Sequence, residues 1–364
     1  MSSILQAIDR SPLLELQLYI TGMHLTSGFG QTDREVKKFF PGAKPIKAIF
    51  TSDDWSGVAE FAGKFLPELV GAFGRQRPDF VLILGDRSEQ LCVALACLYL
   101  GIPTGHLRGG EVSASTFDEL ARHAITKLAS LHFAATHNAA KRISRMGEES
   151  WRIKVVGEAA LDVILGQVLP SEKEVYIFLR LPQKSKFILL SQHPVSYEVA
   201  ATVQQIKTSL AAIKQFKLPI VAVYPNADAG GRRIIAELDK ERKNPLFRIF
   251  PSIPYKMFLA LEREAAVWVG NSSGAMVESS SFALPVVNIG TRQHGRLRAD
   301  NVIDADHKTA NIAAAIKRAL TPSFRAGLKR QKNPWGDGHT GVRVATILEK
   351  LKLEPKLLQK RLTY

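Results

Sequence analysis

The sequence predicts an α/β protein built as two Rossmann-like, doubly wound halves, each a parallel sheet covered by helices, with a cleft between them. Three observations carry this. Short apolar runs alternate with helix-length periodic stretches, the alternation pauses once near 165–185, and polar residues recur directly behind the apolar runs. In the first half the runs are LELQLYITG, KAIF, FVLILGD, PTGHL, LHFAATH and KVVGE. In the second they are FILLSQHP, IVAVYPN, LFRIFPS, VWVGN, PVVNIG and NVIDA. Each has the length of a strand, and their apolar character suits strands covered on both faces. Between them lie stretches such as GVAEFAGKFLPELVGAFGRQ, apolar at helical spacing. Strand, helix, strand, repeated, gives parallel pairing. The pause, LGQVLPSEKEVYIFLRLPQKSK, is polar and holds two prolines. A boundary is expected there: residues 1–168 form a first domain, 169–340 a second, and 341–364 a C-terminal helix and basic tail.

Composition narrows the function. Hydrophobic residues make up 46% of the 364-residue chain, which is therefore globular rather than disordered. No apolar run approaches membrane-spanning length, and the start, MSSILQAIDRSPLLEL, lacks a basic segment followed by an apolar one. Neither a membrane partner nor a signal peptide is expected. Cys92 and Cys97 both fall in LCVALACLYL, on different faces of a helix. Two buried thiols suit a reducing cytoplasm better than a disulfide framework. The net charge of +15 admits nucleic acid, a membrane surface or an anionic small ligand. No aromatic–basic interleaving, zinc spacing or basic helix stands out, so a nucleic-acid partner and a metal site are not expected. The densest basic run, KLKLEPKLLQKRLTY, reads as a solvated, mildly amphipathic C-terminus.

Ligands of doubly wound folds bind outside the carboxyl ends of the strands, so the residues just after each run are the candidates. Four such places are polar: Gly85-Asp86-Arg87, Arg108-Gly109-Gly110-Glu111, Ser191-Gln192-His193-Pro194 and Asn271-Ser272-Ser273-Gly274. In GNSSGAMVE a strand ends at Gly270 and a helix is expected from about Ala275. Free backbone N–H groups there suit an anion, most often phosphate. Glu278, about one turn later, suits sugar hydroxyls. The plainer reading, that Ser272 or Ser273 caps the helix, stands beside it. In HLRGGEVSASTFDELARHAITKL, Thr116 and Glu119 have capping-box spacing, which gives Glu119 a structural role. The helix is expected to bury Phe117, Leu120, Ala124, Leu128 and Leu131. Asp118 lies on the neighbouring face, either functional or ion-paired with Arg122. His193, with its backbone set by Pro194, is by itself better explained as a satisfied structural residue than as a functional one.

Together these segments resemble one family. GDRSEQLCVALACLYLGIP, HLRGGEVSASTFDELARHAITKLASLHF, VVGEAALDVI, SQHPV, YPNADAGG and GNSSGAMVESSSFALPVVNIGTRQHGRLRAD look like the UDP-N-acetylglucosamine 2-epimerases, most like the hydrolysing branch that serves sialic-acid-type sugar synthesis. The likeness spans roughly residues 10–345. It implies a glycosyltransferase-B-like fold with a UDP-sugar in the cleft and a last helix that crosses back to the first domain. It implies a reaction by elimination and hydration, no cofactor, and a homo-oligomer, dimer or tetramer. Carried over by motif, Asp86 and Asp118 are catalytic carboxylates. Arg87, His193, Asn226, Ser272, Ser273, Glu278 and Arg292 bind the substrate. Two departures stand out. Many members read H-I-E-G-G-E, with a catalytic first glutamate where this chain has Arg108. Arginine does not exchange protons near neutral pH, so either Glu111 serves as the acid/base or Arg108 stabilises the departing diphosphate. Members also begin with a strand and a G-T-R turn, whereas MSSILQAIDRSP resembles the end of the helix after that turn. A glycosyltransferase of the same fold would share the nucleotide half but need an acceptor site, and a non-catalytic UDP-sugar binder would accommodate Arg108.

Overall fold

The computed structural model describes residues 1–26, 32–48, 54–113, 117–226 and 228–363. The chain runs α1 (Ser2–Asp9), β1 (Tyr19–Ile20), α2 (Asp33–Phe39), β2 (Lys44–Pro45), α3 (Trp55–Gln76), β3 (Val81–Leu84) and α4 (Ser88–Leu100). It continues through β4 (Thr104–Leu107), α5 (Asp118–Leu128), β5 (Leu131–Ala134), α6 (His137–Arg145), β6 (Ile153–Val155), α7 (Ala159–Gly166) and α8 (Glu172–Leu179). Then come β7 (Ile188–Ser191), α9 (Thr202–Lys214), β8 (Ile220–Val223), α10 (Gly231–Asp239), β9 (Phe247–Phe250), α11 (Tyr255–Glu264) and β10 (Val267–Gly270). Last are α12 (Ser273–Val277), β11 (Val286–Ile289), β12 (Val302–Ala305), α13 (Thr309–Ala319), α14 (Pro322–Leu328) and α15 (Thr340–Glu349).

All six strands of the later sheet are parallel, in the order β12-β11-β10-β7-β8-β9. The order reverses between β7 and β10, which opens a crevice at their carboxyl ends. Alternate residues explain why the sequence builds such a sheet. Ile188 and Leu190 pack on one face with Val267, Val269, Val287 and Ile316. Leu189 packs on the other with Phe187, Val221, Trp268 and Val286. A strand buried on both faces leaves no position for the polar half of an alternating pattern. The earlier sheet runs β3-β4-β5-β6, also parallel, while β1 and β2 pair in a ladder of their own. Among the described residues no helix is long and apolar enough to cross a membrane, and both cysteines are buried and free.

The last helix does return to the first sheet. α15 packs against α1 and α7, and its first N–H groups, from Thr340 and Gly341, donate to the Asp162 carboxylate at 2.9 and 2.6 Å. The basic tail is largely exposed, as read, with Leu357 buried and Lys360 turned inward. Lys360 donates to the carbonyls of Thr126, Lys127 and Ala129 at 2.8–3.2 Å, closing the carboxyl end of α5. Arg152, fully buried, donates to the carbonyls of Lys356, Leu357 and Gln359. Lys360 is drawn in because the open carbonyls at the end of α5 attract positive charge and because the buried Glu148 carboxylate pairs with it at 2.6 Å.

Candidate active site

The crevice of the later sheet is shaped by one glycine. Gly270 pairs with Ser191 in register and has φ 137°. A Cβ there would collide with the Ser191 carbonyl oxygen, so only glycine lets the two strand ends run this close. The loops behind them are locked together: the His193 N–H donates to Asn271 Oδ1 at 2.6 Å, and Asn271 Nδ2 donates to the His193 carbonyl at 2.9 Å. α12 starts at Ser273, two residues before the expected Ala275, and has only five residues. Ser272 caps it, accepting from the Gly274 N–H at 3.3 Å. Glu278 therefore stands at its C-terminal end, where it accepts the Tyr255 hydroxyl at 2.9 Å. His193 shares its Nδ1 with Asn226 at 3.2 Å. Burial, helped by the nearby Arg292 charge, lowers its pKa to about 3. It is thus a neutral hydrogen-bonding group at pH 7, and supplies no positive charge for a diphosphate.

Across the cleft, α5 presents a face the apolar spacing did not predict. Leu120 is exposed, whereas Asp118, Ala121, Arg122, Ile125 and Thr126 are buried. The helix turns a polar face inward because its partners lie there. Arg122 donates to Asp86, Glu119, Ser113 and the Glu111 carbonyl. The alternative, an Asp118–Arg122 ion pair, does not form; Arg122 serves Asp86 and Glu119 instead. Glu119 is structural, but its task is to hold Arg122 and the Ser113 N–H. Thr116 lies outside the described residues, and Phe117 at the N-cap position makes no side-chain cap.

This network drives the protonation of Asp86 and Asp118 apart. Burial would raise Asp86, but the charge and hydrogen bond of Arg122, with Arg296 and Arg108 beyond, outweigh it and hold Asp86 below the usual carboxylate range. Asp118 is raised to about 7, first by burial and then by the charges of Asp228 and Asp86, against the pull of Arg292 and Arg87. At neutral pH one acid is ionised and the other is poised to exchange a proton, the separation that assigns distinct roles to paired carboxyls.

Both acids open on a pocket between the sheets. Gly85, Asp86, Arg108, Ser113, Asp118 and Arg122 line it from one side, and Ser273, Arg292, Gln293 and Arg296 from the other. Arg292 donates to the Asn271 carbonyl at 3.2 Å, and its Nε has no partner. Arg296 donates to Gln293 Oε1 at 3.0 Å, and its Nε is likewise unpartnered. Burial and the Arg108 charge lower Arg296 to about 10, so it remains a cation. Arg87 reaches across the cleft to Asp228 at 3.1 Å while also holding Glu89. Asp228 accepts from Asn226 at 2.5 Å and faces Arg292 at 4.0 Å. Arg87 and Asn226 thus converge on an acid that the sequence reading had not singled out.

Arg108 adopts φ 64°, in the left-handed region. It pairs with Glu158 at 3.0 Å, and its Nη2 is buried without a partner. Gly110, two residues on, packs so closely on the Ala139 carbonyl that no side chain fits. That turn tucks Glu111 into the interior, where one carboxyl oxygen is unpartnered. Burial raises Glu111 against the lowering charges of Arg296 and Arg108. Among the described residues no group of His, Cys, Asp and Glu side chains is arranged to hold a metal ion.

A family model described as UDP-N-acetylglucosamine 2-epimerase matches residues 6–349. The chain belongs to that family. This family member is 35% identical, over 99% of its length and 94% of the relative's, to a hydrolysing UDP-N,N′-diacetylbacillosamine 2-epimerase of Legionella pneumophila. It is 32% identical to a UDP-N-acetylglucosamine 2-epimerase of Neisseria meningitidis, over 87% and 83% of the two chains. In fold it is similar to the crystal structure of a UDP-GlcNAc 2-epimerase from Neisseria meningitidis bound to UDP-GlcNAc. The TM-score is 0.77 at 19% identity, covering 96% of this epimerase-family chain and 97% of the other. The structure adds Arg122, Gln293, Arg296, Glu158 and Asp228 to the residues read from sequence. Gln293 and Arg296 stand in the quoted TRQHGR run, whose second arginine is the available sequence signal. Arg122 had a signal too, four residues after Asp118, but it pointed to a helix surface pair.

Proposed function

We propose that the chain is a hydrolysing UDP-N-acetylglucosamine 2-epimerase, converting the UDP-sugar to UDP and an N-acetylmannosamine-type sugar. The observation that carries this is a pair of carboxyls with opposed pKa shifts in a pocket lined by four arginines. In the elimination half, the C2–H and C1–O bonds break, C1 and C2 become doubly bonded, and UDP leaves with the bonding electrons. Asp118, with a pKa of about 7, is matched to accept the C2 proton. Arg292 and Arg296 face the developing diphosphate charge. Asp86 stays ionised and fixes Arg122. In the hydration half, water adds its oxygen to C1 and releases one of its protons to solvent, while a proton from a protein acid returns to C2 from the opposite face. That donor must differ from Asp118, because the same group would restore the original sugar. Glu111, raised by burial and beside Arg108 and Arg296, fits the donor.

Ser272, Ser273, Asn226 and Glu278 supply polar groups for the nucleotide, with neutral His193 as a hydrogen-bonding partner and Arg87 shaping the cleft through Asp228. The reading extends to a cytoplasmic enzyme acting as a homo-oligomer, dimer or tetramer. The decisive experiment is incubation with UDP-N-acetylglucosamine in deuterated water. Free UDP and a manno sugar with one deuterium at C2 are expected. Release of unlabelled N-acetylglucosamine would make the chain a simple hydrolase, and sugar transfer to an added acceptor would make it a glycosyltransferase. Two relatives, 35% and 33% identical, are named for N,N′-diacetylbacillosamine. The same assay with that UDP-sugar decides the preferred substrate.

A further inference from the structure

One buried acid lies outside every role assigned above. Glu262, on α11, is completely buried, and neither of its carboxyl oxygens meets a hydrogen-bond donor. The carboxyl of Glu278, which accepts the hydroxyl of Tyr255 from the same helix, is its neighbour and acts on it through charge and potential hydrogen bonding. Two carboxylates have no donor between them, so such a bond requires a proton on one. An ionised carboxylate with no cation or donor is also strongly disfavoured in the interior. The two acids differ in their other company. Glu278 accepts the Tyr255 hydroxyl at 2.9 Å and feels the charges of Glu158 and Arg108 from across the cleft, in opposite senses. Glu262 faces Glu278, and burial pushes its carboxyl well above the usual range; burial raises Glu278 as well, but there the bonds of Glu262 and Tyr255 work against it. Tyr255 and Glu262 stand two turns apart on one face of α11, and the Tyr255 N–H is anchored to Glu35 at 3.2 Å.

We propose that Glu262 is a positioning residue: it carries the single proton of the pair and, with Tyr255, presents Glu278 as an ionised acceptor for the sugar hydroxyls of the nucleotide. The proposal rests on Glu278 belonging to the nucleotide site. Without a donor at 262, Glu278 loses a charge-assisted bond and its own burial favours protonation, which removes acceptor capacity.

Two variants of similar volume test this, Glu262→Gln, which keeps a donor, and Glu262→Leu, which does not, each checked by thermal melting. Infrared difference spectra should show the carbonyl band of a protonated acid in the parent chain and its loss in E262Q. By calorimetric titration at neutral pH, E262Q should bind UDP within about twofold of the parent, and E262L about tenfold more weakly, the scale of one lost bond to a charged group. The E262L defect should appear in KM with kcat little changed. In the parent, UDP affinity should fall at alkaline pH as Glu262 gives up its proton, whereas E262Q, which cannot titrate, should lack that fall. A missing acid band, or an E262L variant that binds UDP like the parent, overturns the proposal. A Glu278→Ala variant with unchanged UDP affinity would overturn the nucleotide-site reading instead, and would leave the infrared result for the shared proton standing.

Discussion

Replacing Asp118 by asparagine should make the protein more stable and far less active, and the two effects should separate by pH. The carboxyl is buried beside Asp228 and Asp86, and is raised from its usual 3.8 to about 7. In the unfolded chain it ionises near 3.8, while the folded chain keeps the proton until about 7. Between those values the folded state binds more protons, so stability falls as pH rises, and this group's contribution is fully lost only above the folded pKa. At about 1.4 kcal/mol per pH unit the burden on the folded state reaches about 4 kcal/mol at pH 8. Asparagine carries no such burden. Denaturant unfolding should show D118N gaining little over the parent near pH 4 and progressively more up to about pH 7, with a plateau beyond. Turnover should drop by about two to four decades, the range for removing a general acid/base. The parent's kcat should climb through the same pH region as Asp118 becomes ionised. A D118N chain that retains turnover, or whose stability difference is flat with pH, would refute the argument that burial and like charge tune this residue for proton transfer.

Other changes probe the cations, the nucleotide loop and the tail. Arg296→Met should weaken UDP binding about 10- to 100-fold, the loss of a charged phosphate contact, while leaving uridine binding unchanged; calorimetry with both ligands checks it. Ser272→Ala combined with Glu278→Ala should cost about 2–4 kcal/mol of UDP affinity, the scale of two or three bonds to charged groups. Lys360→Met removes the cation that holds three carbonyls at the end of α5 and pairs with the buried Glu148 at 2.6 Å, and should lower stability by about 1–3 kcal/mol in denaturant titration, the cost of taking a partner from a buried acceptor.

The parallel sheets were legible because they follow from local chemistry. Runs such as KFILLSQHP and VWVGN are apolar on successive residues, and only a strand covered on both faces uses them. That also located the polar residues after each strand, so the places of Asp86, His193, Ser272 and Ser273 at the strand ends were legible without coordinates. α5 was misread for the opposite reason. Its buried face carries Asp118, Arg122 and Thr126, and a rule that equates burial with apolar spacing rotates the helix until Leu120 points inward.

What the sequence determined, then, is each property set within one run of chain: the strands, the turns that need Gly110 and Gly270, and the family motifs. Tertiary structure decided the properties that belong to pairs of distant residues. Arg122 meets Asp86 from 36 positions away, Arg87 meets Asp228 from 141, and Arg152 gathers carbonyls more than 200 positions distant. The raised carboxyls of Asp118 and Glu262 and the neutrality of His193 all depend on which charges surround a group and how little water does. Electrostatic interactions act through space and strengthen as solvent is excluded, so no pattern read along the chain contains them.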